Sequence, residues 1–201
     1  MKIGVIGAGN IGGAIGAIWA SRNHEVYFGV RDPQKESLVE KIAQMTEQVR
    51  VGHSAEAIGF ADIVVFAVPG ASVATIVDEN LDNLRGKTII DASNNMRGES
   101  RHALGYLRDR LPTASLYRAF NSLGWENLVN PDFEGTKADL FYCGDEDAKS
   151  TVEQLISDIG LEPVCLGGTD RVALVEGMTD MWFNLALKQG MGRRIAFKLL
   201  R

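Results

Sequence analysis

Short apolar runs rich in valine and isoleucine alternate along the chain with segments whose apolar residues recur at helical spacing. This alternation is typical of βαβ units and of a parallel sheet. The run "DIVVFAV" is apolar throughout, as expected of a strand that helices cover on both faces. The pattern therefore predicts an α/β fold with a doubly wound, mostly parallel sheet.

The apolar runs and the helical periods give the predicted elements. The predicted strands are Lys2 to Ile6, Glu25 to Gly29, Arg50 to His53, Ile63 to Val68, Thr88 to Asp91, Ser115 to Arg118, Leu140 to Cys143 and Pro163 to Leu166. The predicted helices are Ile11 to Ser21, Pro33 to Gln44, Val73 to Leu81, Ala148 to Ile159 and Val172 to Gln189. Strand signals cease after residue 168, so we expect a domain over 1–168 and a small helical C-terminal extension over 169–201.

Composition narrows the class of protein. The chain has 201 residues, 45% of them hydrophobic, and a formal net charge of -5, which argues against nucleic acid as a partner. No apolar run reaches the roughly 18–20 residues of a membrane span, and the amino terminus leads directly into a strand, so we expect a cytoplasmic protein. Cys143 and Cys165 lack CxxC spacing and a His/Cys cluster, which favours reduced thiols and no metal site.

A glycine-rich turn follows the first predicted strand. Gly7, Gly9 and Gly12 form GxGxxG between a strand and a helix, which is the context of a Rossmann-like dinucleotide site. The first glycine permits the tight turn, the second lets a pyrophosphate approach the backbone, and the third lets the helix and strand pack closely. We therefore expect the helix amides at Ile11 to face phosphates, together with Ala8 and Asn10.

The stretch after the second strand indicates which dinucleotide binds. An acid at the strand end suits the free ribose of NAD, whereas Arg or Lys suits the 2′-phosphate of NADP. Val30 stands at the strand end here, followed by Arg31 and Lys35. Asp32 falls about twenty residues after Gly12, where an NAD-binding acid could sit. We interpret it instead as the N-cap of a helix with Pro33 as its first residue. NADP(H) is therefore the favoured cofactor.

Loops after the later strands should border the nicotinamide. "FAVPG" supplies Ala67, Val68 and Pro69, "DASNN" supplies Ser93 and Asn94, and "AFNSLGWEN" supplies Phe120, Asn121, Ser122, Leu123 and Trp125. Ordinary turn chemistry is an equal interpretation for Asn94 and Asn121, as turn stiffening is for Pro69. We find no Tyr-x-x-x-Lys, nucleophilic triad or carboxylate pair, and we interpret His24, His53 and His102 as structural. Such loops suit direct hydride passage between two flat rings.

Several stretches together resemble the NADPH-dependent reductases of the deazaflavin coenzyme F420, a group that also includes the oxidoreductase domain of STEAP-type metalloreductases. The stretches are GAGNIG, "HEVYFGVRDPQK", "FAVPG", "CGDEDAKSTVEQLISDIG" and the closing "QGMGRRIAFKL". The sequence has Ala8, Val30 and Asn121 where that family commonly has Thr, Ser and His.

The resemblance implies a homodimer that passes hydride between NADP(H) and a deazaflavin or flavin-type acceptor. It implies that Arg31 and Lys35 bind the 2′-phosphate and that the loop from Phe120 to Leu123 lies near the two rings. The extension, with Met191, Gly192 and Lys198, would contact the acceptor, and its cations could equally form a solvated helix end. Two alternatives remain: reduction of a small imine or carbonyl, and a redox sensor that binds NADP(H) without turnover.

Overall fold

One sheet of eight strands organises the chain. The computed structural model describes residues 1–43, 45–96, 98 and 100–200. In this part of the chain the sheet contains β1 (Lys2–Ile6), β2 (Glu25–Gly29), β3 (Val49–Gly52), β4 (Ile63–Phe66), β5 (Thr88–Asp91), β6 (Ser115–Arg118), β9 (Asp139–Gly144) and β10 (Glu162–Cys165). A separate antiparallel hairpin pairs β7 (Asp132–Phe133) with β8 (Thr136–Lys137).

Helices connect the strands and cover the sheet. They are α1 (Asn10–Ser21), α2 (Glu36–Ala43), α3 (Ser54–Phe60), α4 (Val73–Glu79), α5 (Leu81–Leu84), α6 (Leu104–Arg110), α7 (Trp125–Val129), α8 (Lys149–Asp158) and α9 (Val172–Phe183). Short 3-10 turns cover Gly70–Ser72 and Thr169–Arg171, and a π turn over Asn184–Lys188 follows α9.

The strand order confirms the predicted fold class. The order is β10-β9-β6-β5-β4-β1-β2-β3, and the six strands from β6 to β3 run parallel. β9 runs antiparallel to β6 and β10 runs parallel to β9, so these two strands alone are reversed. The order along the chain switches direction between β1 and β4, and in open α/β sheets ligands bind outside the carboxyl ends of the strands at such a point.

Two apolar clusters hold helices on opposite faces of the sheet. All four residues of β4 are buried, as a strand covered on both faces requires. Ile15 and Trp19 of α1 pack with Leu155 of α8 in one cluster, while α3, α4 and α6 pack in the other. α9 contributes Val175 to the second cluster and Trp182 to the first. α9 therefore contacts both layers.

The predicted start of the second helix is wrong. α2 begins at Glu36 rather than at Pro33, and Asp32 does not cap it. Instead, Asp32 Oδ1 accepts a hydrogen bond from the Gln34 backbone N–H at 3.1 Å. Asp-Pro favours such a local turn as readily as a helix start, because the Asp side chain satisfies the amide two residues on. The predicted end at Gln44 lies outside the described residues.

Other element bounds differ more modestly from the predictions. β3 starts and ends one residue earlier, β4 ends at Phe66, and the helix predicted to reach Leu81 breaks at Asn80. The Asn80 side chain there donates to the Ile76 carbonyl at 2.8 Å, which competes with continuation of the helix. The sequence pattern missed α3, α6 and α7, whose seven, seven and five residues are too short for a clear helical period.

Both cysteines are free thiols in the structure: Cys143 is buried and Cys165 is partly buried. Burial raises the pKa of the Cys143 thiol to about 12. Among the helices of the described residues, none combines the length and apolar character that a membrane crossing requires.

Candidate functional site

The glycine turn lies between β1 and α1, and each glycine has a different surrounding. Gly7 has a φ of +103°, and a Cβ on it would come within 2.6 Å of the Ala67 carbonyl oxygen. A Cβ on Gly12 would overlap the carbonyl oxygen of Gly7. A Cβ on Gly9 would meet nothing within 4 Å. Gly7 and Gly12 thus serve close packing, whereas the open backbone at Gly9 fits the approach of a pyrophosphate at the start of α1.

A cavity of about 660 Å³ adjoins this turn at the carboxyl ends of β1, β2 and β4. It brings together nine predicted cofactor residues: Gly7, Ala8, Gly9, Val30, Arg31, Lys35, Ala67, Val68 and Pro69. Six further residues that were not predicted also line it: Gly29, Ser37, Leu38, Ser54, Ser72 and Ile76. Ser54 opens α3, and its strand-helix junction could have signalled it had that short helix been recognised.

Asp32 lines the same cavity as the two cations Arg31 and Lys35. One of its carboxylate oxygens accepts from the Gln34 amide, so the acid belongs to the turn that carries Lys35. The cavity therefore presents two cations and one acid within five residues, a net positive charge that suits a phosphate.

The loops after β4 and β5 meet at this edge of the sheet. Pro69 and Asn94 form an isolated parallel bridge, and the Gly70 amide donates to the Asn94 carbonyl at 3.3 Å. This pairing joins the larger cavity, lined by Pro69, to a second one lined by Asn94. The two cavities therefore lie next to each other along the edge.

The second cavity has a volume of about 210 Å³ and lies at the start of α1. It is lined by Asn10, Ile11, Asn94, Phe120, Asn121, Leu123, Gly124, Trp125, Trp182, Phe183 and Arg193. Seven of these residues were predicted, and Gly124, Trp182, Phe183 and Arg193 were not. The approach of Trp182 and Phe183 of α9 and of Arg193 depends on tertiary packing. Ser122 is buried without lining the cavity, and Ser93 is buried with its hydroxyl donating to Asp91 Oδ1 at 2.5 Å.

Backbone strain marks the entry to the loop after β6. Phe120 is fully buried at a φ of +64°, and its ring packs edge-on against Trp19 at 5.7 Å between centroids. A bulky residue at positive φ costs free energy and persists only where the surroundings fix it. This turn delivers Asn121 to the cavity directly after Phe120.

A buried guanidinium lies beneath the second cavity. Arg118 is fully buried, and its Nη1 lies 3.3 Å from Asp91 Oδ1 while its Nε donates to Glu176 Oε1 at 2.7 Å. Nη1 also donates to the carbonyl oxygens of Asp91 and Ser93. Buried charges persist when they are paired and hydrogen-bonded in this way. The network links the ends of β5 and β6 to α9.

Two buried oxygen atoms of this region have no hydrogen-bond partner within the described residues: Asn121 Oδ1 and Glu176 Oε2. His102, interpreted from the sequence as structural, precedes α6 and is half-buried. Burial, followed by the nearby Arg118 charge, lowers the pKa of His102 below its usual value. No group of three or more His, Cys, Asp or Glu side chains in the described ranges is arranged to hold a metal ion.

The cations of the extension contact the body of the protein. Arg193 pairs with Glu126 at 2.6 Å and lies over the Trp182 ring at 5.2 Å. Lys198 pairs with Asp139 at 2.8 Å and with Glu162 at 2.5 Å. Lys198, Met191 and Gly192 do not line the second cavity in this chain, so their predicted acceptor contact remains a prediction. Arg201 lies outside the described residues.

The fold and the glycine turn define a Rossmann-type protein of the α/β class. Residues 2–95 match the model of the family described as NADP oxidoreductase, coenzyme F420-dependent. The match covers slightly less than half of the chain, including the glycine turn and the loops after β2 and β4, and it agrees with the resemblance that the motifs indicated.

Solved structures support the same fold. A protein from Arthrobacter sp. FB24, provisionally described as an F420-dependent NADP reductase, superposes with a TM-score of 0.87 at 24% identity over 100% of both chains. A hypothetical protein from Sinorhizobium meliloti gives a TM-score of 0.72 at 27% identity over 100% of this chain and 96% of that one. An imine reductase from Streptomyces aurantiacus gives 0.70 at 14% identity, and this chain covers 64% of its length.

Proposed function

We propose that this protein transfers a hydride between NADP(H) and a deazaflavin or flavin-type acceptor. The observation that carries the proposal is the adjacency of the two cavities at the start of α1. The larger combines the glycine turn with Arg31 and Lys35, and the smaller has aromatic walls formed by Trp125 and Trp182. A dinucleotide held in the first would extend its nicotinamide toward the second.

The residues of the larger cavity fit NADP(H). The open backbone at Gly9 and the first amides of α1, which have no partner inside the helix, suit the pyrophosphate. Arg31 and Lys35 suit the 2′-phosphate, because Arg binds phosphate oxygens through paired N–H donors and Lys as a point charge. Ser37 and Ser54 line the same cavity and offer hydroxyls in place of those expected near Ala8 and Val30.

The smaller cavity suits positioning more than acid or base catalysis. Bound NADPH would supply the hydride at its nicotinamide ring. The chain's own part is to hold flat rings between Trp125, Phe183 and the loop at Phe120, with neutral amides of Asn94 and Asn121 at the border. Arg193 is the one charged side chain among the described residues that line this cavity, and it is paired with Glu126. We therefore expect the protein to contribute mainly by aligning the two rings for hydride transfer.

Anaerobic mixing of the purified protein with NADPH and each acceptor tests the proposal. We expect NADPH oxidation with coenzyme F420 or with FMN or riboflavin, and a lower rate in Trp125→Ala, which removes one wall of the cavity. Val129→Ala is the matched control, since this exposed side chain of the same helix, α7, does not line the cavity. Absence of oxidation with every flavin and deazaflavin would contradict the proposal.

Reduction of a small imine is the second candidate. One observation favours it: the chain shares its fold with the imine reductase from Streptomyces aurantiacus, at a TM-score of 0.70. NADPH oxidation with a cyclic imine but with no flavin or deazaflavin would select this function. Tight NADPH binding without turnover of any acceptor would instead select the redox sensor.

We further propose that the protein is a homodimer whose contacts include the extension. α9 leaves Leu174 and Met181 exposed, by 54% and 42%, on a helix that also reaches the second cavity. Sedimentation equilibrium of the wild-type protein and of Leu174→Glu tests this. A monomeric wild type at micromolar concentration would contradict it.

A further inference from the structure

The amide of Asn94 has a fixed orientation at the border of the smaller cavity. Arg118 Nη2 lies 2.9 Å from the Asn94 side chain, and a guanidinium offers only donors. The atom facing Arg118 must therefore be the acceptor Oδ1. The Nδ2 group then lies on the other side of the amide, where its one contact among the described residues is the Asn121 carbonyl at 3.4 Å. Asn94 thus offers an N–H donor to the cavity.

The amide of Asn121 also has a fixed orientation, but here the Nδ2 group, and not the oxygen, faces the protein partners. Its Nδ2 lies 2.8 Å from Thr179 Oγ1 and 3.3 Å from Glu176 Oε1. The Thr179 hydroxyl donates to the Val175 carbonyl at 3.1 Å, so toward Asn121 it accepts, and the carboxylate of Glu176 accepts as well. A reversed amide would set an oxygen against two acceptors.

This orientation leaves Asn121 Oδ1 as a buried acceptor without a partner in the described part of the chain. Asn121 is 5% exposed and lines the smaller cavity. A buried acceptor that stays unpaired costs free energy, so an unpaired one at a cavity wall indicates a ligand that donates to it. Asn94 and Asn121 then present one donor and one acceptor side by side.

We propose that Asn94 and Asn121 together bind the amide edge of a ring ligand, Asn94 donating to its carbonyl and Asn121 accepting from its N–H. This inference rests on the proposed function and concerns the same site. Arg118, Glu176 and Thr179 are positioning residues, because they set the two amides without lining the cavity. Two ligands carry such an edge: the carboxamide of nicotinamide and the imide of a deazaflavin or flavin ring.

Equilibrium binding of NADP⁺ and of its 3-acetylpyridine analogue tests the pair. The analogue keeps the carbonyl and lacks the N–H. We expect the wild type to bind NADP⁺ about two- to tenfold more tightly than the analogue, the range of one neutral hydrogen bond. In Asn121→Leu this preference disappears through weaker binding of NADP⁺. Asn94→Leu is the matched variant, and it weakens both ligands equally because both retain the carbonyl.

The positioning role of Thr179 can be tested separately, through the same preference for NADP⁺ over its analogue. Thr179→Val removes the hydroxyl that holds Asn121 Nδ2, and we expect it to reduce the preference for NADP⁺ over the analogue, with recovery in Thr179→Ser. Equal melting temperatures of the two variants would exclude a general loss of stability as the cause.

Measurement of the acceptor KM shows whether the bound amide edge belongs to the nicotinamide or to the ring of the acceptor. If the edge belongs to the acceptor, Asn121→Leu leaves NADP⁺ affinity unchanged and raises the acceptor KM about two- to tenfold. Unchanged NADP⁺ affinity together with an unchanged acceptor KM would overturn the inference and leave the proposed function intact. Failure of the wild type to bind NADP⁺ would overturn the proposed function, and the inference with it.

Discussion

Arg118 and Asp91 form a fully buried ion pair beneath the smaller cavity, with Nη1 and Oδ1 3.3 Å apart. The Asp91 carboxylate also accepts from the Ser93 amide at 3.0 Å and from the Ala103 amide at 2.7 Å. One buried pair therefore fixes the end of β6, the loop after β5 and the start of α6. The two cavity amides depend on it, because the same guanidinium holds Asn94.

Arg118→Met should lower the free energy of unfolding by about 3–5 kcal/mol, because it leaves Asp91 and Glu176 as buried carboxylates without their cation. Urea denaturation measures the loss. Arg85→Met is the control: its pair with Asp82 is 67% and 90% exposed, and we expect a change of no more than about 0.5 kcal/mol. Equal effects of the two substitutions would show that the buried pair contributes no more than a surface one.

Gly12→Ala and Gly9→Ala should separate folding from cofactor binding. A Cβ on Gly12 overlaps the Gly7 carbonyl, so we expect the melting temperature to fall, with an unfolding cost of about 1–3 kcal/mol. A Cβ on Gly9 meets open space and its φ of -71° suits alanine, so stability should change by no more than about 1 kcal/mol.

Calorimetry with NADP⁺ completes the Gly9 comparison. The added methyl group would occupy the space left for the pyrophosphate, so we expect Gly9→Ala to bind NADP⁺ much more weakly than the wild type. Undiminished binding by a stably folded Gly9→Ala would place the pyrophosphate elsewhere.

Arg31→Ala should weaken NADPH binding by roughly tenfold to a hundredfold and leave NADH binding nearly unchanged, since the lost contact is a charged hydrogen bond to the 2′-phosphate. Fluorescence titration with both nucleotides measures this. Arg22→Ala is a suitable control, because Arg22 is an exposed arginine at the far end of α1. An equal loss for NADPH and NADH would argue against a phosphate contact of Arg31.

Acidification should destabilise the protein through His102. Burial, with the nearby Arg118, lowers the pKa of His102, so the folded state binds its proton less readily than the unfolded state. Its contribution is therefore complete above the unfolded pKa near 6.5 and is lost as the pH falls from there through the lower folded pKa. We therefore expect the melting temperature of the wild type, measured relative to that of His102→Asn, to fall between about pH 7.5 and about pH 5, because the variant lacks the titrating group. A constant difference would contradict this linkage.

Lys198→Met separates two roles of the C-terminal segment. Lys198 bridges Asp139 and Glu162, and Asp139 Oδ2 also accepts from the Leu199 amide at 2.6 Å, so the substitution should lower the melting temperature. If this bridge is its role, the acceptor KM stays unchanged. A raised acceptor KM at equal stability would instead support the acceptor contact predicted for Lys198.

The sequence by itself determined the features that local pattern encodes. Four strands, including β1 and β2, match their predicted bounds residue for residue, because continuous apolar runs between turn residues mark buried strands. The glycine turn was predictable for a similar reason: the φ of +103° at Gly7 and the approach of Gly12 to the Gly7 carbonyl are both local to the turn. The match to the family model lies in residues 2–95, the stretch that holds these local motifs.

Only the tertiary structure decided the reversed direction of β9, the turn at Asp32 and the polar network under the smaller cavity. Whether a strand runs parallel or antiparallel depends on the neighbour with which it pairs, and the hydrophobic pattern of an apolar run is the same in both cases. The network joins Arg118 to Glu176, which are 58 positions apart, and the local sequence around either residue does not predict contact with the other. Asn121 was a candidate from sequence, but the orientation of its amide follows from α9, whose approach is set by packing across both faces of the sheet.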